Sequence, residues 1–597
     1  MDKTFTLKKS RTFGPLKLRK SLQRELLVGA AIILLSIAAA IITGNLFWQQ
    51  ALLIAFVYVL AAAGLDILRS QAGQMSFGQG AVMGVAAYMT ALATTVWKLT
   101  GPLPIVVGLV SGMAFGLLMA LPSLRVQGYY LGFVTMAGAL ALPEIFYLFK
   151  DQTHAMTGVN VFPSAIHNTV IGNIDWLTIV VVVVTLCSLI LIAVLQSSRL
   201  GRQMLLAGES PEAAATLGLS AGLLRLQAFA ISSATASLAG VLYVGIVQYV
   251  APGSFTLSLS IMLYFIIIIG GPGTILGPIA GVALLYLVPD YALASLIDYR
   301  LLIYGIIAFA VMFLIPDGVA GGLRRLLKRR RQSAATGSAT ISIQPILESA
   351  PPRTEVAAND LPPLLVVEEA SRRFGSVQAL DGASLVVRPG TLHAIVGPNG
   401  SGKTTLLNAI SGLISIDSGR VLFDGGDVTK VSAMRRAKLG LARTFQKPRI
   451  LGELSVWENV DSGGRPHQPI AWIEEALDGV REQWEKVDGG VLPHGQRRFL
   501  EVLRSLHQGP SLIALDEPAA GLSQAERSEF GSLLRDVVNA TGVTVLMVEH
   551  DLELVWGSAD TISVVDAGRV IASGTPAELR NSPTITHLFA GVDHVAG

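Results

Sequence analysis

Cysteine and charge are what this chain has least of. One cysteine, Cys187, stands among 597 residues, so no intrachain disulfide can staple the fold. It lies in an apolar run and reads as a small core residue. Charged residues make up 15% of the chain against 51% hydrophobic ones, and the apolar residues crowd into the first 320 positions. Length alone would suggest about three or four domains. The distribution overrides that estimate, because several runs reach the roughly 20 residues that cross a bilayer. The first half is therefore expected to be a membrane domain and the second a soluble one. The net charge of +3 is small and unevenly placed. Basic clusters at Lys8 to Arg24 and Arg324 to Arg331 flank apolar segments, which fits positive-inside topology signals better than nucleic-acid binding. No clear small-residue cleavage site follows the basic opening, so the first apolar run reads as a retained helix rather than a signal peptide.

Candidate spans are Leu26–Ile42, Trp48–Leu65, Met75–Trp97, Leu103–Leu121, Tyr129–Phe149, Leu177–Leu195, Leu226–Tyr249, Leu257–Gly270, Ile275–Val288 and Leu301–Ile315. From a cytoplasmic N-terminus, ten crossings return the chain to the cytoplasm at Arg324–Arg331. The Arg69, Arg125 and Arg199–Arg225 loops then fall inside and Asp151–Trp176 outside, in agreement with the charge bias. The short segments at 257–270 and 275–288 can instead form a re-entrant pair with the same parity. Helical regularity breaks at Gly73-Gln-Met-Ser-Phe-Gly-Gln-Gly80, and again at Gly270-Gly-Pro-Gly273 with Gly277-Pro278. Paired interruptions of this kind point to a translocation path, or to close packing through small residues. Gln74 and Gln79 bring amide groups to the first of them. Glu144, beside Pro143, is an intramembrane carboxylate or an interfacial residue.

In the loop before the seventh span, Ser210 suits an N-cap, Pro211 a first helical turn and Gly218 a helix end. A short helix there is a loop element or a lever for a following motor domain. From Gln332 to Pro363 the chain is rich in Ser, Ala, Thr and Pro without apolar periodicity, which predicts a flexible tether.

The most specific signal follows. Gly397-Pro398-Asn399-Gly400-Ser401-Gly402-Lys403-Thr404-Thr405 fits G-x-x-x-x-G-K-[ST], with an apolar strand before it and a helical pattern after it. Glycines let successive N–H groups turn inward, and the helix N-terminus adds positive potential for phosphate. Lys403 reaches the β- and γ-phosphates of ATP in such a loop, and the Thr404 hydroxyl suits Mg²⁺. Phe374, upstream, can stack on adenine or pack as an ordinary strand residue. Gln446 is placed like a switch glutamine that senses Mg²⁺. The buried strand Leu512–Leu515 leads to Asp516 and Glu517, a carboxylate pair suited to holding Mg²⁺ through water and to polarising an attacking water. His550, at the end of the next apolar run, is a candidate γ-phosphate sensor.

These motifs carry two resemblances. Gly73–Gly80, Leu124–Leu131, Ser198–Arg202, Glu209–Gly218, Ile269–Pro278 and Leu302–Tyr304 resemble the second permease subunit of the branched-chain (hydrophobic) amino acid family of ABC importers. The resemblance implies that Glu209–Leu219 is a coupling helix. The stretch 364–580 resembles the ABC ATPase domain. That likeness implies ATP sandwiched between the P-loop of one ATPase and the signature of another, with Gly495 and Gln496 as signature residues. Here the signature reads Leu492-Pro-His-Gly-Gln496, with Pro493 and His494 where the family has serine and glycine. Ser523 stands where an aspartate is usual. Asymmetric sites follow as the expectation.

The expected architecture is multidomain. An N-terminal all-α polytopic membrane domain of about 8–10 transmembrane helices occupies 1–327, a flexible linker 328–363, and an α/β P-loop ABC ATPase domain 364–597. The resemblance implies ATP-driven import of branched-chain or hydrophobic amino acids at the bacterial inner membrane. It further implies a cytoplasmic ATPase, ATP and Mg²⁺ at the site, and three partners: a second permease, a second ATPase and a periplasmic solute-binding protein. Ala519–Leu522 points to the branched-chain amino acid ATPases, whereas Phe445–Pro448 and His494–Gln496 resemble the urea branch of the family. A homodimeric exporter is disfavoured by the short loops between spans.

Overall fold

The computed structural model describes residues 19–126, 128–154, 157–161, 170–171, 174–292, 299–332, 341–351, 361–464, 467 and 470–580. The basic stretch from Lys8 to Lys17, much of the loop between 151 and 176, and the linker positions 333–340 and 352–360 lie outside those residues. The chain divides into two compact units: one holds 1–209 and 222–336, the other 210–221 and 337–597.

The first unit is helical. Among the described residues seven helices are long and apolar enough to cross a membrane: Leu22–Ile42, Leu46–Gln71, Leu103–Leu124, Tyr129–Leu148, Trp176–Ser197, Ala221–Val247 and Pro252–Gly270. The other three expected spans fall below that length, two of them because irregular backbone consumes part of the α-helix. Gln79–Thr95 begins only after a non-helical stretch. Leu276–Val282 passes into a π-helical segment, Ala283–Ala292, and Arg300–Leu314 has 15 residues. Glycines set the closest packing. Gly108, Gly112 and Gly116 recur every four residues along Leu103–Ala120 and are buried. Side chains there would collide with Thr90, Ser237 and Ser233 respectively, so the spacing brings backbones together as small-residue motifs do. Cys187 is exposed rather than in the core. In a membrane helix the outward face is also apolar, so an apolar run does not imply burial.

Both predicted interruptions are real, but the second is confined to 271–275, and Gly277 and Pro278 stand in the first turn of the helix Leu276–Val282. The helix Leu46–Asp66 widens into a π turn at Ile67–Gln71, and Gly73 has φ +64°. Gln79 is fully engaged in packing. Its Nε2 donates to the Ala61 and Ser232 carbonyls at 2.9 and 3.1 Å, and its Oε1 accepts from the Ser232 hydroxyl at 3.0 Å. Gln74 donates to the Ala72 carbonyl at 3.0 Å, and its buried Oε1 has no hydrogen-bond partner among the described residues. Asp66, 2% exposed, accepts the Gly273 N–H on both oxygens at 3.0 and 3.1 Å. Glu25 accepts the Ile275 N–H at 2.9 Å. Two carboxylates thus supply the acceptors that the second interruption lacks, as backbone at membrane depth requires.

The second unit is an α/β ATPase fold. Its main sheet has the order Leu441–Arg443, Leu512–Asp516, Thr544–Val548, Leu392–Val396, Thr561–Asp566, Arg569–Gly574, parallel except for the last strand. Leu392–Val396, Leu512–Asp516 and Thr544–Val548 are buried throughout, as expected of central parallel strands covered on both faces. A four-stranded antiparallel sheet carries Leu365–Phe374 and Val377–Val387. The helix Pro211–Thr216 belongs to this unit. Ser210 caps it by accepting the Ala213 N–H at 3.3 Å, and Gly218 ends it at φ +74°. It packs against Ala433–Lys438 and Leu441–Arg443. Part of the expected tether departs from expectation. Ile341, Ile343, Ile346 and Leu347 are buried in the helical core of this unit, because four aliphatic side chains in ten residues are too apolar to be left in water.

Candidate nucleotide site

The strand Leu392–Val396 delivers the chain into the loop 397–402 at the C-terminal edge of the sheet, where open α/β sheets bind ligands. A Cβ at Gly397 would run into the Val565 carbonyl. At Gly402, with φ +102°, it would lie 2.5 Å from the Ala379 carbonyl. Only glycine fits either place. The helix Lys403–Ser411 starts directly after, so its free N–H groups face the loop. Lys403 Nζ donates to the Gly397 and Pro398 carbonyls at 2.8 Å each. Burial lowers the Lys403 pKa, and Glu517 and Asp516 oppose that shift. The Ser401 hydroxyl is buried and has no hydrogen-bond partner among the described residues. A cradle of glycines, a cation and an orphaned hydroxyl at a helix N-terminus can hold an anion such as phosphate.

The carboxylates sit on the neighbouring strands. Asp516, 5% exposed, accepts from Arg443 Nη2 at 2.9 Å and lies 3.5 Å from the Thr404 hydroxyl. Burial raises the Asp516 pKa and the Arg443 guanidinium pulls it back. Arg443 also donates to the Ser411 hydroxyl at 2.7 Å, and its own pKa is lowered by burial. Glu517 adopts φ +43°, a left-handed backbone that it shares with six other non-glycine residues among those described. Its N–H donates to the Val548 carbonyl at 2.9 Å, and its carboxylate accepts from Gln446 Nε2 at 2.7 Å. Glu517, Gln446, Asp516, Thr404 and Lys403 therefore gather at one edge.

His550 stands beside that group. Its ring is 56% exposed, with Nδ1 3.8 Å from Glu549 Oε2. Glu549 is buried and accepts the Ala519 N–H at 2.8 Å and the His550 N–H at 3.2 Å. Burial pushes its pKa up. Phe374 is 46% exposed at a strand end, with the Arg372 guanidinium carbon 5.0 Å from its ring centre. Gly495 and Gln496 open the helix His494–Leu506, which Pro493 precedes. His494 Nε2 lies 3.3 Å from the Ala520 carbonyl. Ser523 caps the helix Gln524–Thr541 in a reciprocal pair with Glu526.

Sequence reasoning missed a buried ion cluster. Arg498, Glu501 and Arg504 are each 2% exposed on one helix. Arg498 donates to the Phe445 carbonyl at 2.6 Å and to the Gln446 carbonyl. Glu501 accepts the Phe445 and Arg449 N–H groups at 3.4 Å, and Arg504 donates to the Arg449 carbonyl at 2.7 Å. Burial raises the Glu501 pKa and lowers those of Arg498 and Arg504, each opposing the other through its charge. One helix thereby satisfies the backbone of the loop that carries Gln446. The available signal was charge at a spacing of three residues along an otherwise apolar helix face.

For a divalent cation, the Thr404 hydroxyl, the Asp516 carboxylate and the Gln446 amide oxygen are hard oxygen donors of the kind Mg²⁺ prefers. Among the described residues no group of three His, Cys, Asp or Glu side chains forms a cage. That fits an ion held by few protein ligands together with phosphate.

A P-loop at a sheet edge with a carboxylate pair behind it defines an ATP-binding, ATP-hydrolysing domain, here on one chain with an apolar helical unit. Residues 47–315 match the family described as the branched-chain amino acid transport system permease component, and 380–520 match the ABC transporter family. The high-affinity branched-chain amino acid transport ATP-binding protein LivG of Salmonella typhimurium is 33% identical over 253 residues, covering 38% of this chain and 98% of LivG. BraF of Pseudomonas aeruginosa, of the same description, is 31% identical over 250 residues, covering 38% of this chain and 98% of BraF. A solved nucleotide-free ATP-binding cassette from an ABC transporter is 29% identical, covering 38% of this chain and 99% of that one, at TM-score 0.35. The chain belongs to the ABC transporter family, as a branched-chain amino acid type permease fused to a LivG-like ATPase.

Proposed function

We propose that this chain drives import of branched-chain or hydrophobic amino acids across a bacterial inner membrane, with its ATPase unit in the cytoplasm. The observation that carries the reading is the joint presence in one chain of the permease match and a LivG-like ATPase. The membrane unit is read as 1–327 and the ATPase domain as 364–597, with the joining segment 328–363 docked on the ATPase unit over 341–350. A second permease, a second ATPase and a periplasmic solute-binding protein complete the assembly in this reading.

At the ATPase edge, residues 397–405 hold the phosphates, with Lys403 turning from its loop carbonyls to the β- and γ-phosphates. Thr404, Gln446 and Asp516 hold Mg²⁺, which when bound neutralises phosphate charge. Glu517 orients the attacking water and takes its proton, while His550 contacts the γ-phosphate. Phe374 stacks on adenine, and Gly495 and Gln496 contact the nucleotide held by the partner ATPase. Proximity of Glu517 to Gln446 and of Asp516 to Thr404 supports these roles. The helix Pro211–Thr216 couples this chemistry to transport. It packs on the strand ending at Arg443, which pairs with Asp516.

The test is ATP hydrolysis and uptake by the reconstituted complex, with binding proteins loaded with leucine or with urea outside. Stimulation and uptake with leucine are expected. Stimulation by urea alone would transfer the chain to amide transport, and indifference to every binding protein would overturn import.

A further inference from the structure

We propose that Ile341–Ala350, the docked part of the linker, is a positioning strap that orients the amide of Gln496 toward nucleotide. The proposal rests on the reading of Gln496 as a nucleotide contact. The strap is built into the ATPase unit and is no loose tether. Ile341, Ile343, Ile346 and Leu347 are 5%, 6%, 2% and 7% exposed and share a core with Leu492, Phe499 and Phe530. The short helix Gln344–Glu348 lies against both Ala471–Trp484 and Gln524–Thr541. Its entry is pinned to the signature, because the Ile341 N–H donates to Gln496 Oε1 at 2.8 Å.

The chemistry of a primary amide makes that bond informative. Gln496 has one oxygen that accepts and one NH₂ that donates, and the two ends have nearly the same shape. With Oε1 committed to Ile341, the group that remains to be presented is the donor. A donor suits the phosphate or hydroxyl oxygens of a nucleoside triphosphate. Released from Ile341, the amide is free to turn its oxygen toward those oxygens and repel them. An interaction of this sort is made with bound nucleotide before and during hydrolysis alike, so its loss raises KM rather than lowering kcat. Ile341 acts through Gln496 and is a positioning residue.

The experiment compares variants of the full chain assembled with its partner subunits. Ile341→Pro removes the N–H and keeps an apolar side chain. It is expected to raise the KM for ATP about fivefold, the size of one net hydrogen bond, with kcat within about twofold, while the trimmed core side chain lowers the thermal midpoint. Gln496→Glu keeps an acceptor for Ile341 but has no donor, and should raise KM at least as far. The double variant should go no further than the larger single effect, as expected when two residues share one interaction. Should Ile341→Pro fail to assemble, Ile346→Asp expels the strap from its core and carries the same expected rise in KM. An unchanged KM in the strap variants alongside a raised one in Gln496→Glu would overturn the strap alone. An unchanged KM in Gln496→Glu would overturn the reading of Gln496 itself.

Discussion

The P-loop edge of the ATPase unit and the signature edge, which we propose also faces nucleotide, are built differently. At the P-loop edge, polar groups converge from several elements: Lys403 and Thr404 from a helix start, Asp516 and Glu517 from a strand end, Gln446 from a loop. Each is held by its neighbours, and the backbone at Glu517 is left-handed. At the signature edge, Pro493 offers no donor, His494 sits near the Ala520 carbonyl, and Gln496 is tied to the linker. Ser523 is occupied as a helix cap. Under the proposed roles, the difference teaches that one chain supplies the chemical half of a site and a signature edge with fewer polar groups. The helix His494–Leu506 joins the two, since its first turn is the signature and its Arg498, Glu501 and Arg504 hold the Gln446 loop.

The comparison breaks first at Glu517. Glu517→Gln should cut phosphate release by about 10³-fold while ATP still binds, the range expected for loss of a general base. Undiminished turnover would strip the P-loop edge of its assigned chemistry. Next comes the joining helix. Arg498→Leu leaves two carbonyls and the Glu501 carboxylate short of a partner, and should destabilise the ATPase unit by about 3 kcal/mol, as removal of one member of a buried pair does. A denaturation shift worth less than about 1 kcal/mol would show that the loop does not depend on the cluster. The smallest effect sharpens the contrast. Pro493→Ser with His494→Gly restores a hydroxyl to the signature and should raise turnover at most about fivefold, one hydrogen bond's worth. No change at all would mean that the reduced edge loses nothing by lacking serine.

Much of the P-loop edge was legible because its motif is continuous in sequence and its strand and helix flank it directly. Glycine at 397 and 402 could be read as necessary before any distance was known. The interruptions at 73–80 and 270–278 were equally visible, since glycines clustered with polar residues or proline weaken a helix more than the evenly spaced glycines of Leu103–Ala120 do. What stayed hidden depends on distant chain meeting in space. Asp66 is a single acid inside a long apolar segment, and nothing nearby says that its partner is the N–H of Gly273, more than 200 residues on. The Arg498 cluster reads as a solvated charged face until the Phe445–Arg449 loop is laid on it. The strap was missed because Ser, Pro and Thr set the composition of the linker, whereas four aliphatic residues set its fate. Cys187 shows the reverse error, in which apolar neighbours were taken as burial.

Asp66 has one further consequence. A break in a membrane helix is ordinarily a private weakness, free to bend alone. Here the end of one interrupted helix holds the turn of the other by a carboxylate that grips a single N–H on both oxygens. Two hinges that share one pin no longer swing separately. Whatever tilts the π turn at Ile67–Gln71 must carry Gly273 with it or leave an N–H and a buried carboxyl group without each other.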